Sequence, residues 1–133
     1  MAANAFTYDF AEIDGKIEMN SFLDFLSPKD RAKIIANMEK LVDLLNITPF
    51  PNQKLSKYLR NGIFELRVNL KNANSRSLYF FMNNKNIIFT HGFIKKTNRT
   101  PNSEINKAIK IKDYYRSKTW TTHKNIKKKT WKI

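Results

Sequence analysis

The sequence contains no cysteine, which excludes disulfide bridges, thiolate zinc sites and cysteine nucleophiles and suits a reducing cytosol. It has only three glycines, none of them in a phosphate-cradling loop, and no His/Cys/Asp cluster at metal-ligand spacing. No apolar run approaches the length that crosses a bilayer, and the N-terminus lacks the pattern of a secretory signal. We therefore expect a cytoplasmic protein that makes no membrane contact and uses neither a metal nor another cofactor.

Acidic residues are also scarce, with 11 Asp and Glu against 25 Lys and Arg, and the formal net charge is +14. Residues 1–94 hold 12 basic and 9 acidic side chains, whereas residues 95–133 hold 13 basic and only 2 acidic ones. Such an excess attracts polyanions, so the C-terminal third is the part expected to face nucleic acid. The alternative is that many of these lysines simply solvate the surface.

At 133 residues, the chain has the length of one α+β domain, which we place at residues 1–118, followed by a basic tail at 119–133. An alternating N-terminal segment predicts a first strand at 5–10, and a short helix is expected at 20–26. Ser27 and Pro28 then resemble an N-cap and a first-turn proline, and they start a longer helix with a wide apolar stripe that stops before Thr48-Pro49.

The second half of the domain predicts a sheet. After a basic connector at 54–60, three alternating segments at 63–70, 75–83 and 86–94 are separated by polar turns, which favours a three-stranded antiparallel meander. Thr100-Pro101 offers an N-cap and a first-turn proline for a final helix through about Tyr115. We thus expect helices packed on one sheet.

Several cations fall on the meander or at its edges, and an antiparallel meander can bring them together: Arg67, Arg76, Lys95 and Lys96. Fixed cations can orient a phosphate and stabilise its developing charge when an RNA 2′-hydroxyl attacks it. Arginine is the natural phosphate clamp, because it is permanently charged and presents two parallel donors. The alternative for Arg67 is an ion pair with Glu65 or a solvated sheet face.

The acid and base of such a reaction stay open. Lys57, Lys95 and Lys96 are candidates if a dense positive field lowers their pKa. Glu65 is a further candidate, or else it holds Arg67 in place. His91 lies within a strand, where a lone histidine is more often a hydrogen-bonded structural residue than a catalyst.

Four motifs occur in order: Gly62-Ile-Phe-Glu-Leu-Arg67, Ser75-Arg-Ser-Leu-Tyr-Phe-Phe81, Ile88-Phe-Thr-His-Gly-Phe-Ile-Lys-Lys-Thr97 and Thr100-Pro101. Together they resemble the phage-derived, HigB-like toxin branch of the RelE/ParE superfamily. The resemblance implies a microbial-RNase-like domain and a type II toxin that cleaves messenger RNA on the ribosome without a metal. It also implies neutralisation by a helix-turn-helix, HigA-like antitoxin, through which alone the toxin would meet operator DNA.

By motif position, Arg67 and Arg76 resemble the family's phosphate-binding arginines, Lys95 and Lys96 its basic catalytic segment, and Lys57 a residue of the preceding basic connector. The further candidates for binding messenger or ribosomal RNA are Lys54, Arg60, Arg99, Lys127, Lys128 and Lys129. Two alternatives explain the charge without catalysis. The chain could be an RNA- or ribosome-binding module, or an inactivated toxin that only binds its antitoxin.

Overall fold

The computed structural model describes residues 5–48, 52–83 and 85–122, with side chains through residue 117. The chain forms eight elements: β1 (Thr7–Phe10), α1 (Glu18–Phe25), α2 (Pro28–Leu45), β2 (Ser56–Arg60), β3 (Ile63–Asn69), β4 (Asn74–Met82), β5 (Asn86–Lys95) and α3 (Asn102–Thr122). The strands make one mixed sheet in the order β1-β5-β4-β3-β2, so the α+β class is confirmed. No helix in these described ranges is long and apolar enough to cross a membrane.

Helix α2 begins as the sequence predicts. The Ser27 hydroxyl accepts a hydrogen bond from the Asp30 backbone N–H at 3.2 Å, and Pro28 occupies the first turn, where its missing N–H costs nothing. The predicted apolar stripe is buried, and its members are Ile34, Ile35, Met38, Leu41 and Leu45. This stripe packs on the sheet together with Phe22 and Leu23 of α1, which fixes the first helical layer.

The predicted meander is confirmed, because β3, β4 and β5 pair antiparallel in sequence order. The strand count was wrong: the segment read as a basic connector contains β2, which pairs antiparallel with β3 at the sheet edge. Only Ser56 of β2 is buried, and its exposed Lys57 and Tyr58 hide the apolar alternation that marks a strand. At the other edge β1 pairs with β5 in parallel, which completes a sheet of five strands.

The helices cover both faces of the sheet. Helices α1 and α2 pack on one face, whereas α3 packs on the other through Ala108, Ile111 and Tyr115. Beneath α3 the sheet is apolar, with Ile63, Leu78, Phe80 and Ile88. Near the start of α3 the same face becomes polar.

The contact between α1 and β5 is close because of Gly92. A Cβ atom added to this glycine would lie 2.4 Å from Cδ2 of Phe22. The close packing of α1 on β5 therefore requires the glycine of the Gly-Phe-x-Lys-Lys segment. This packing also positions the strand that carries Lys95.

Candidate active site: the basic groove

A groove of about 420 Å³ lies where β2, β3 and the end of β5 meet the beginning of α3. We call it the basic groove, and its charged and hydroxyl-bearing lining residues are Lys57, Tyr58, Arg60, Glu65, Arg67, Lys95, Arg99 and Thr100. The sheet register explains why residues distant in sequence meet here. Lys57 lies opposite Glu65, and Arg67 opposite Arg76, and directly opposed residues of antiparallel strands point to the same face.

Glu65 is the centre of a buried polar cluster. It is 1% exposed, and its Oε2 accepts a hydrogen bond from Nε of Arg67 at 2.8 Å. Its Oε1 lies 3.7 Å from Nε of Arg76 and accepts a hydrogen bond from the Thr100 hydroxyl. A buried carboxylate is stable only with such partners. Through them Glu65 connects β3, β4 and the segment that leads into α3.

Arg67 forms part of the groove wall as a fixed cation. Its side chain is 28% exposed, and besides its bond to Glu65 it donates from Nη1 to the Gln53 carbonyl oxygen at 3.3 Å. Two bonds to separate parts of the chain restrict the orientation of the guanidinium. An anion that enters the groove thus meets a positive charge whose position is already set.

Arg76 lies beneath the groove and is not among its lining residues. It is 6% exposed, it donates from Nη1 to the Ser75 carbonyl oxygen at 2.9 Å, and its Nε has no hydrogen-bond partner among the described residues. Burial lowers the pKa of Arg76, Glu65 opposes this effect, and the positive charge of Arg67 adds to it. Arg76 therefore acts on the groove through its field and through Glu65.

Lys95 is the last residue of β5 and lines the groove, and its ammonium group has a lowered pKa. Its pKa is lowered by partial burial and then by the positive charge of Arg76, with further contributions from Arg67 and Lys57 that Glu65 opposes. A lysine among fixed cations loses its proton more easily than a lysine in water. Of the predicted acid–base lysines, Lys95 has the clearest physical basis for proton transfer.

The other predicted residues divide into three groups. Arg60 and Arg99 line the groove, and Nη2 of Arg60 donates to Oδ1 of Asn106 at 2.8 Å. Lys54 and Lys96 are exposed and lie outside the lining. The predicted RNA-binding lysines Lys127, Lys128 and Lys129 lie outside the described residues.

His91 is placed under α3, away from the basic groove. It is 2% exposed, its Nε2 lies 2.9 Å from Oε1 of Glu104, and its Nδ1 lies 3.1 Å from the Thr90 hydroxyl. Burial lowers its pKa, while its hydrogen bond to Glu104 acts in the opposite direction. This is the environment of a hydrogen-bonded structural histidine that fastens the first turn of α3 to β5.

Thr100 is a site residue that the sequence patterns did not indicate. The Thr100-Pro101 pair predicts a helix cap, but α3 begins at Asn102, and the hydroxyl donates to Glu65. The hydrogen bond to Glu65, 35 positions earlier in the chain, distinguishes a site residue from a helix cap. A contact over that distance cannot be read from the local sequence.

Within residues 5–48, 52–83 and 85–122, no group of three or more His, Asp or Glu side chains is placed to hold a metal ion. A search of curated proteins gives no match. The family model described as phage derived protein Gp49-like (DUF891) matches residues 21–113, from α1 through the middle of α3, and so covers the basic groove and well over half of the sequence. The chain belongs to this phage-derived Gp49-like family.

Proposed function

We propose that this chain is the toxin of a type II toxin–antitoxin system, an endoribonuclease that cuts messenger RNA on the ribosome and thereby stops translation. The observation that carries the proposal is the basic groove, in which Arg67 and Lys95 are held around a buried carboxylate. Membership of a phage-derived family and the ordered motifs that resemble HigB-like RelE toxins support the same conclusion. As a cytoplasmic toxin it would work without a cofactor.

The chemistry needs few protein groups, because RNA supplies its own nucleophile. The 2′-oxygen attacks the adjacent phosphorus, the bond from phosphorus to the 5′-oxygen breaks, and a 2′,3′-cyclic phosphate and a 5′-hydroxyl result. One proton leaves the 2′-hydroxyl and one reaches the departing 5′-oxygen. Arg67 would stabilise the charge on the phosphate, and Lys95, with its lowered pKa, would carry one of the protons.

Glu65 and Arg76 have positioning roles in this proposal. Both carboxylate oxygens of Glu65 accept hydrogen bonds within the protein. The side chain is almost fully buried, so little of it is exposed to a ligand in the groove. Arg76 is similarly enclosed. Glu65 would orient Arg67, and Arg76, at 3.7 Å from Glu65, would lower the pKa of Lys95.

The partners follow from the same proposal. Messenger RNA in the ribosome would occupy the basic groove, and ribosomal RNA would contact the surrounding cations, including Lys57, Arg60 and Arg99. A helix-turn-helix antitoxin would neutralise the protein and connect it to operator DNA.

The test is translation of a defined message in a bacterial cell-free system, with new RNA ends mapped by primer extension. Wild type is expected to give translation-dependent cuts in the coding region. Arg67→Ala and Lys95→Ala should each abolish most cutting, since one charge-stabilising group is typically worth about 10²–10³ in rate. Lys40→Ala, an exposed lysine on α2, is the matched control and should cut like wild type.

Two results would replace the proposal. An intact message with ribosome-bound wild-type protein would identify an RNA- or ribosome-binding module. An intact message without ribosome binding would identify an inactivated toxin. Far-UV circular dichroism of each variant establishes that a loss of cutting reflects chemistry and not unfolding.

A further inference from the structure

A second groove lies on the other side of α3, away from Arg67 and Lys95. It has a volume of about 530 Å³ and runs between α3 and the segment 11–18 that joins β1 to α1. We call it the aliphatic groove. The chemistry of the basic groove uses none of its lining residues.

The floor of the aliphatic groove consists of aliphatic side chains. Ala11 and Ile13 come from the segment after β1, and Ile111 comes from α3. No aromatic ring lines this groove in the described part of the chain. Single-stranded RNA is usually bound by stacking its bases on aromatic rings, so this floor suits aliphatic groups better than nucleobases.

The rim of the aliphatic groove is basic, with three lysines and one glutamate. Lys16 on one wall and Lys107 on the other both pair with Glu18, at 3.4 and 3.3 Å, so the carboxylate connects the two walls of the groove. Lys110 makes no ion pair with a described residue and remains available to an acidic ligand. The rim therefore favours carboxylates next to the aliphatic floor.

The dimensions match a short helix. The wall that α3 contributes extends from Ser103 to Ile111, about 12 Å at a rise of 1.5 Å per residue, which corresponds to two helical turns. We propose that the aliphatic groove binds an amphipathic helix of a partner protein, with an aliphatic stripe bordered by Asp and Glu. Such a helix inserts apolar residues spaced three and four apart into the groove and pairs its acidic flanks with the lysines. The inference does not rest on the proposed ribonuclease activity.

The experiment selects binders from a display library of 16-residue helical peptides on the full-length protein. Enriched peptides should carry aliphatic residues three and four apart with acidic neighbours. Their affinity, measured by fluorescence anisotropy, should fall by roughly tenfold or more on Lys107→Glu/Lys110→Glu, because two attractive rim charges become repulsive. Ile13→Glu, on the half-buried floor, should weaken binding by a similar factor.

Lys29→Glu/Lys40→Glu on α2 makes the same change in net charge away from the groove and should leave the affinity unchanged. Circular dichroism checks that each variant is folded. Peptides that bind both double variants equally would overturn the inference, since they would bind elsewhere. Selection of peptides without acidic flanks, or failure to enrich any peptide, would also overturn it.

Discussion

Glu65→Gln is the sharpest single perturbation of the basic groove, because it removes one negative charge while nearly keeping the shape of the side chain. Wild-type Glu65 is 1% exposed and faces Arg76 at 3.7 Å, and Arg76 is itself 6% exposed. The variant leaves the Arg76 guanidinium buried without a compensating charge. Removing one partner of a buried ion pair typically costs about 3–5 kcal/mol of unfolding free energy.

Arg67 contributes much less to this loss. Its side chain is 28% exposed, so water can solvate the guanidinium when the carboxylate is gone, and the uncompensated charge left behind is mainly that of Arg76. The Thr100 hydroxyl can still donate to the glutamine carbonyl oxygen. The expected loss for Glu65→Gln is therefore about 3–5 kcal/mol, a large share of the roughly 5–15 kcal/mol typical of a domain.

The assay is urea unfolding followed by far-UV circular dichroism. With a slope of about 2 kcal/mol per molar urea, the midpoint should fall by roughly 2 M. Lys40→Gln, which removes an exposed charge on α2, is the control and should change the stability by no more than about 0.5 kcal/mol. Glu65→Gln/Arg76→Met removes both buried charges and should recover most of the stability. A loss below about 1 kcal/mol for Glu65→Gln would refute the reasoning. So would a double variant whose loss of unfolding free energy equals the sum of the losses of Glu65→Gln and Arg76→Met.

Three further outcomes are expected. If Lys95 transfers a proton, the rate of RNA cleavage should change with pH around a pKa below that of an ordinary lysine. The rate should rise with increasing pH if Lys95 is the base and fall if it is the acid. Lys95→Arg should remove that pH dependence while RNA binding persists, and an unchanged profile would exclude Lys95. Thr100→Val should slow cleavage more than it weakens RNA binding, and Thr100→Ser should restore the rate; equal rates in all three proteins would assign Thr100 no role. Gly92→Ala should cost about 1–3 kcal/mol in urea unfolding, because the new methyl group meets Phe22 and forces its ring to move. A stability equal to that of wild type would show that the ring moves freely.

The sequence predicts most of the fold because local patterns determine it. The apolar stripe of α2, its Ser27-Pro28 start and the alternation of β3 are each visible within a few residues, and all three are present in the structure. Strand β2 was missed because an edge strand needs to bury only one residue, Ser56, and its polar neighbours resemble a loop. The parallel pairing of β1 with β5 depends on residues about 79 positions apart, which no local pattern records.

The candidate site could be predicted only in part, for the same reason. Charge and motif order indicated Arg67, Arg76 and Lys95, but they could not separate a cation that lines the groove from one buried beneath it. That difference arises from the position of α3. Two hydrogen bonds between distant parts of the chain set this position. Thr100, just before α3, bonds to Glu65, and Glu104 in the first turn of α3 bonds to His91.

The burial of Arg76 is itself an argument for function. A domain of this size gains more stability from an apolar side chain at such a position than from a buried arginine whose Nε has no hydrogen-bond partner in the described part of the chain. Positions that break the local rules of core packing are concentrated at functional sites. Here the costly charge lies directly behind Glu65, acts on the pKa of Lys95 and lies opposite Arg67 in the sheet. From this position one buried charge affects all three groups, which a purely structural role would not require.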